Sequence, residues 1–263
     1  MAHPTTAAAP TKPSAPLAWA VLGAALLQVV VPAFQALGDL GAPPSSQGED
    51  LLITPAGYTF SIWSLVYLLT IVYGVVVVVK RTTGTAAPDR LLRDLLLLYA
   101  GAALWIVVSA LEWSWATALV LVAMVVVAVD AARAVARSAA DPAAPGWLRP
   151  LALVTTGVYA GWVTAAGVLN VCTALVDAGW LDGDEVGWQV GVLLLTAVIA
   201  SAISVYLGGS WAYAATLVWA LVGVVVAVRE TSGTLVAAAV VAAVVVVAVN
   251  VGLLLRGASD RSR

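Results

Sequence analysis

Apolar residues run along this chain in long, nearly unbroken stretches, broken only by short polar segments. A helix that crosses a bilayer needs about 20 predominantly apolar residues. On that measure eight stretches qualify: residues 17–37, 58–79, 95–111, 115–135, 151–176, 188–207, 211–228 and 235–254. The run 95–111 is the shortest, and only residues 112–114 separate it from the next. So short a link predicts an antiparallel helix pair. Residues 1–16, rich in Ala, Pro and Thr without apolar periodicity, read as a disordered leader. The fold class expected is an all-α polytopic integral membrane protein of about eight helices.

Composition agrees with the pattern. Hydrophobic residues make up 62% of the chain and charged residues 10%, against about 45–50% and 25% in soluble domains. This much Val, Ala and Leu needs lipid as its solvent. The first run is longer than the 7–15 residues of a signal-peptide core, so it is read as a retained helix. Lys12 and the small-residue pattern Ala33-Phe34-Gln35-Ala36 outline the signal-peptide alternative.

Charge sets an expected orientation. Lys12, Lys80, Arg81, Arg90, Arg93, Arg133, Arg137, Arg149, Arg256, Arg261 and Arg263 all fall on one side of an eight-span chain. The other side receives Asp39, Glu49, Asp50, Glu112, Asp177, Asp182, Asp184 and Glu185, with the mixed pair Arg229/Glu230 the exception. The positive-inside rule then places both termini in the cytoplasm of a plasma (inner) membrane protein. A net charge of −2 offers nothing to nucleic acid. The single Cys172 and single His3 exclude an intrachain disulfide and make a Cys- or His-built metal site unexpected. No metal and no cofactor is expected.

Catalytic machinery is sparse, and no catalytic residue is assigned. No charge falls in the middle of a span, where ion coupling or proton relay normally shows itself. Asp130, the nearest case, is read as an i, i+3 partner of Arg133. The run 236–249 is pure Val and Ala, and its helix reads as lipid-facing scaffold. What remains is aromatic and amide chemistry. The second helix opens with Tyr58, Phe60, Trp63 and Tyr67, of which Trp63 and Tyr67 share a face at i, i+4. Trp105 lies in the outer half of the third helix. Tyr159, Trp162, Ala166 and Asn170 recur at three- and four-residue steps on the fifth and form one stripe. Trp113, Trp115, Trp180, Trp188 and Trp211 sit at span ends and read as interfacial anchors. Trp63, Trp105 and Trp162 lie inside spans, where an indole N–H needs a partner; both a pocket wall and helix-packing core fit them.

These segments resemble the tryptophan-rich sensory protein (TspO/MBR) family, which includes the translocator protein. The family pattern Tyr-x-x-Trp-x-x-x-Ala-x-x-Leu-Asn is matched by Tyr159, Trp162, Ala166, Leu169 and Asn170, and Phe60, Trp63 and Tyr67 match the second-helix pattern. Trp105 resembles the family's third-helix tryptophan, and the connection 38–54 its lid loop. Ala102 and Val158 stand where the family carries Asn and Pro. The resemblance implies a five-helix membrane bundle over 17–176, with three additional helices over 177–255 and a tail over 256–263, as in a longer bacterial branch. It further implies a pocket opening toward the first loop that takes a flat apolar ligand such as a porphyrin. Family members have been proposed as tetrapyrrole sensors, transporters or porphyrin-degrading catalysts.

The function expected is therefore binding of a planar hydrophobic molecule, a tetrapyrrole, as sensor or carrier rather than as an enzyme. Its ligand-binding set is Tyr58, Phe60, Trp63, Tyr67, Trp105, Tyr159, Trp162, Ala166 and Asn170. Expected partners are that porphyrin-like ligand and the lipid bilayer, with homodimerisation left open. The alternatives are a facilitative transporter of a small neutral solute and a non-catalytic subunit of a membrane complex.

Overall fold

A computed structural model describes residues 12–38 and 51–261. Most of the leader and most of the 38–54 connection lie outside these residues. The described chain is all helix: α1 (Ala15–Gly38), a 3-10 turn (Gly57–Ser61), α2 (Ile62–Lys80), α3 (Pro88–Ala110), α4 (Ser114–Arg137), α5 (Leu148–Asp177), α6 (Val186–Leu207), α7 (Trp211–Val228) and α8 (Gly233–Arg261). All eight helices are long and apolar enough to cross a membrane. In lipid each backbone polar group must be satisfied within its own segment, which helices alone achieve without a closed barrel. The α3–α4 link is as tight as expected, turning through Glu112 at φ 57°.

Two helices outrun their apolar stretches. α3 begins at Pro88, seven residues before the apolar run, with proline at the first helical turn where its missing N–H costs nothing. Asp89 in that turn accepts a hydrogen bond from Ser14 N at 2.9 Å, tying the start of α1 to the start of α3. The charged first turns of α3 are helical but lie at the end of the bundle, where an apolar-run count stops short. α8 likewise continues to Arg261, through residues read as a tail.

Asp130 does not pair with Arg133. Its two carboxylate oxygens accept from Arg90 Nη2, each at 2.9 Å, across the α3–α4 hairpin. Arg133 turns to α6 instead, with its guanidinium 3.7 Å from the centre of the Tyr206 ring and donating to Tyr206 O. There it meets a helix C-terminus, whose last carbonyls lack partners within the helix. The Arg90–Asp130 pair is well exposed, so solvent screening leaves it little to contribute to stability.

α5 is the hub. It packs against α2, α4, α6 and α7, and its buried residues cover every side of the helix. The α5–α7 crossing is close because Gly157 and Gly161 stand one turn apart on α5. A Cβ at Gly161 would lie 2.7 Å from Tyr213 O and 2.9 Å from Thr216 Cβ. At Gly157 it would meet Ala212 Cβ and Ser210 Oγ, each at 2.9 Å. This small-xxx-small pattern lets two membrane helices gain dispersion contacts that lipid cannot match.

α8 is only half the lipid-facing scaffold expected of it. Leu235, Ala238, Ala239, Ala242, Val246 and Asn250 are buried against α6 and α7, while Val240, Val241, Val244 and Val247 face outward. The alanines mark the packed face, since their size lets the helices approach. Asn250 is the polar lock on that face: Nδ2 donates to Ser204 Oγ at 2.8 Å, and Oδ1 accepts from Ser210 N at 3.1 Å.

A second buried polar chain crosses the first half of the bundle. Tyr159 OH donates to Gln28 Oε1 at 2.9 Å, and Gln28 Nε2 donates to Thr70 Oγ1 at 2.7 Å. Thr70 Oγ1 in turn donates to Tyr67 O at 3.0 Å. Helices α1, α2 and α5 are thereby joined at one fully buried amide. Gln28→Leu strips Tyr159 of its acceptor, and its unfolding free energy in detergent is expected to fall by about 1 kcal/mol, the scale of interhelical hydrogen bonds in membranes. An unchanged unfolding midpoint contradicts this role.

Candidate functional site

The aromatic residues of α2, α3 and α5 converge around one indole. Trp63 stacks on Tyr67 and on Trp105, with ring centroids 5.5 and 5.6 Å away and interplanar angles of 27° and 25°. Tyr159 and Trp162 present their rings to it at near right angles, at 6.2 and 6.1 Å. Phe60, at the end of the 3-10 turn, stands edge-on to Trp162 at 5.8 Å. Offset-stacked and edge-to-face arrangements are the ones the ring quadrupole favours, each worth about 0.5–1.5 kcal/mol beyond area burial. Helical spacing builds the cluster: Trp63 and Tyr67 are one turn apart on α2, as are Tyr159 and Trp162 on α5.

Beside this cluster runs a cleft lined by Phe60, Trp63, Trp105, Trp162, Ala166 and Asn170, completed by Pro55, Ala165, Leu169 and Ala220. Six of the nine sequence-proposed residues therefore meet on one surface. The other three sit elsewhere. Tyr67 and Tyr159 back the Trp63 ring from behind, with Tyr159 also stacked on Tyr99 at 5.6 Å. Tyr58 is largely exposed and meets Trp219 of α7 edge-on at 5.5 Å. The α5 stripe thus divides by function: its inner member supports, and Trp162, Ala166 and Asn170 face the cleft.

The polar groups of the cleft are few and incompletely paired. Trp105 and Trp162 are 4% and 3% exposed, yet neither indole N–H has an acceptor among the described residues. A buried donor without an acceptor carries a desolvation cost of about 1–3 kcal/mol. Asn170 Nδ2 donates to Ala166 O at 2.9 Å on its own helix, which leaves its carbonyl oxygen to the cleft. Among the described residues, none that lines the cleft is ionisable. The space itself is about 30 Å³, room for roughly one water molecule, so the cleft is closed.

The segment that closes it is held by α6 and α7. Ala56 N donates to Gly223 O at 3.0 Å, and Trp219 Nε1 donates to Thr59 O at 2.9 Å. Ile53 N donates to Gln189 Oε1 at 3.0 Å on α6, while Leu51 and Ile53 pack among Leu193, Leu221 and Val224. A Cβ at Gly223 would fall 2.1 Å from Thr59 Oγ1, so only glycine admits the turn there. A second apolar hollow of about 50 Å³ adjoins the cleft through Pro55, Ala165, Leu169 and Ala220, and runs between α5, α6 and α7. The sequence-proposed set left out Pro55, Ala165 and Ala220, which carry no chemical signal, and Leu169, which the family pattern contains but which was not assigned to the ligand. It also passed over Trp219 and Gln189, whose polar groups inside apolar runs were the available clue. Trp219→Phe keeps the ring and removes the donor to Thr59. Proteolysis within residues 51–61 is expected to accelerate several-fold in this variant, and wild-type protection contradicts the clamp.

Trp113, Trp115, Trp180 and Trp211 are each more than two-fifths exposed at helix ends, as interfacial anchors are. Trp188 differs, donating from Nε1 to Asp182 O at 2.7 Å and bracing the α5–α6 loop. Comparison with known proteins bears on the whole bundle. Neither a curated protein nor a solved structure matches the chain. The family model described as TSPO-like protein matches residues 17–252, from the first helix into the eighth. With the match running through all eight helices, the chain belongs to the TSPO-like protein family.

Proposed function

We propose that this membrane protein binds a planar hydrophobic molecule, a tetrapyrrole, in the aromatic cleft and serves as its sensor or carrier. The carrying observation is the Trp63 cluster. It offers parallel ring faces on α2 and α3, flanked by two buried indole donors and one amide acceptor that lack partners. A flat apolar ligand with carbonyl or carboxylate oxygens to accept from the two indoles, and an N–H or O–H to donate to the amide oxygen, satisfies all three, since aromatic walls supply stacking and a few polar groups fix orientation. Ligand pockets commonly hold about 300–1,000 Å³, so the closed cleft has to open. The mobile part on this reading is Phe60 with Pro55, because both stand on the connecting segment while Trp63, Trp105 and Trp162 stand on packed helices. The segregation of arginines supports an inner-membrane protein with cytoplasmic termini.

The test is a titration of the purified protein with protoporphyrin IX, followed by its Soret band. Saturable binding that weakens about fivefold or more in Asn170→Ala, which loses roughly one hydrogen bond of about 1 kcal/mol, supports the reading. Non-saturating partition that is equal in both proteins contradicts it and turns attention to uptake of small neutral solutes.

A further inference from the structure

A larger cavity, of about 260 Å³, lies at the opposite, arginine-rich end of the bundle, away from the aromatic cleft. It is enclosed by the last turns of α4, the first turns of α5, the α6–α7 loop, the start of α7 and the end of α8. One part of its wall is apolar, formed by Leu153, Leu207 and Leu254. Its polar wall is formed by Arg149, Ser210 and the first backbone N–H groups of α7 at Trp211 and Ala212.

The polar wall is built to donate. Arg149 Nη2 reaches the carbonyls of Val135, Ala136 and Ser138 at 3.2–3.4 Å, which fixes the guanidinium at the end of α4. Its Nε is fully enclosed, without surface open to the cavity and without an acceptor among the described residues, so Nη1, which bonds to none of them, is the donor left to a ligand. Ser210 Oγ accepts from Tyr213 N at 3.3 Å as the α7 cap, and its hydroxyl donates to none of the described residues. The N-terminus of an 18-residue helix adds its positive dipole end. Among the described residues no acidic side chain lines the cavity, so these donors meet no carboxylate there. Guanidinium forks and helix N-termini both hold phosphate well.

We infer that this cavity binds a phosphate group at the depth of the lipid headgroups, with the apolar wall taking the adjoining glycerol and acyl carbons. Basic pockets between helix ends on the arginine-rich side are where anionic headgroups are bound. Two sources share this chemistry, an anionic phospholipid and free phosphate, and the apolar wall favours the lipid.

The experiment measures the unfolding temperature of the full chain in neutral detergent. It is titrated separately with phosphatidylglycerol, phosphatidylcholine and inorganic phosphate. Arg149→Gln removes the fork. Ala136→Phe fills the cavity, leaves every charge in place, and guards against a trivial folding defect in the first variant. The expected result is a saturable rise of several degrees with phosphatidylglycerol, absent with phosphatidylcholine and lost in both variants. The same pattern with inorganic phosphate also supports the site and assigns it to the free anion. A rise with phosphatidylglycerol that persists in Ala136→Phe reports surface charge alone and overturns the inference, as does no rise with either anion.

Discussion

Gly161→Leu is expected to lower the unfolding free energy by about 3 kcal/mol, the upper range for overpacking a close contact, and to loosen α7 from α5. The clash is with backbone. The new Cβ would lie 2.7 Å from Tyr213 O, and a carbonyl oxygen fixed in a helix cannot rotate aside as a side chain can. α7 must therefore move as a whole. With it move Ala220, Trp219 and Gly223, which wall the cleft or hold its closing segment. Gly161→Ala meets the same oxygen with a smaller group and is expected to cost about half as much. Unfolding in a detergent series measures both. Equal stability of wild type and Gly161→Leu means that α5 and α7 do not cross as described.

Trp63→Ala is expected to raise the dissociation constant for protoporphyrin IX about thirtyfold. The estimate takes roughly 2 kcal/mol for the contact area of one large buried apolar side chain, with tenfold in affinity for every 1.4 kcal/mol. Trp63 is the centre of the cluster, in ring contact with Tyr67, Trp105, Tyr159 and Trp162. Its loss removes a stacking face and relaxes the neighbours that form the others. Trp63→Phe keeps a ring of smaller area, so its affinity should fall between the two. Trp113→Ala, at a lipid-facing helix end, should leave binding unchanged. Unaltered affinity in Trp63→Ala removes the cleft from the binding reaction.

The spans were legible because lipid imposes a length of apolar chain that no soluble fold requires, and the eight runs map onto the eight helices. What that count missed were the turns that are helical yet polar, such as Pro88–Asp94 in α3 and Arg256–Arg261 in α8. The cleft was legible where chemistry and helical spacing coincide. Trp63, Trp105 and Trp162 place indole N–H groups inside spans, and Phe60, Ala166 and Asn170 follow the same faces. It was illegible where the wall is made of Pro55, Ala165 and Ala220, since apolar residues in an apolar chain say nothing until packing is known. Tyr58, Tyr67 and Tyr159 show the limit of spacing: it assigns a face of one helix, while the neighbouring helices decide whether that face is cleft or support. Gln28 and Asn250 carried a signal, as single amides within long apolar stretches whose polar atoms lipid cannot satisfy. So did the sequence Gly157-Val-Tyr-Ala-Gly161, a close-packing motif that foretells a crossing helix without naming it as α7.

The central claim, that the aromatic cleft is where a planar ligand lies, is tested most directly by letting the ligand mark its own surroundings. Protoporphyrin IX bound to the protein is illuminated in the presence of azide, which intercepts oxidant that escapes into solution. Oxidised tryptophans are then located by peptide mass spectrometry. The account predicts that oxidation concentrates at Trp63, Trp105 and Trp162 and disappears there in Trp63→Ala. Oxidation confined to Trp113, Trp115, Trp180 and Trp211, with the three cleft indoles intact, contradicts it.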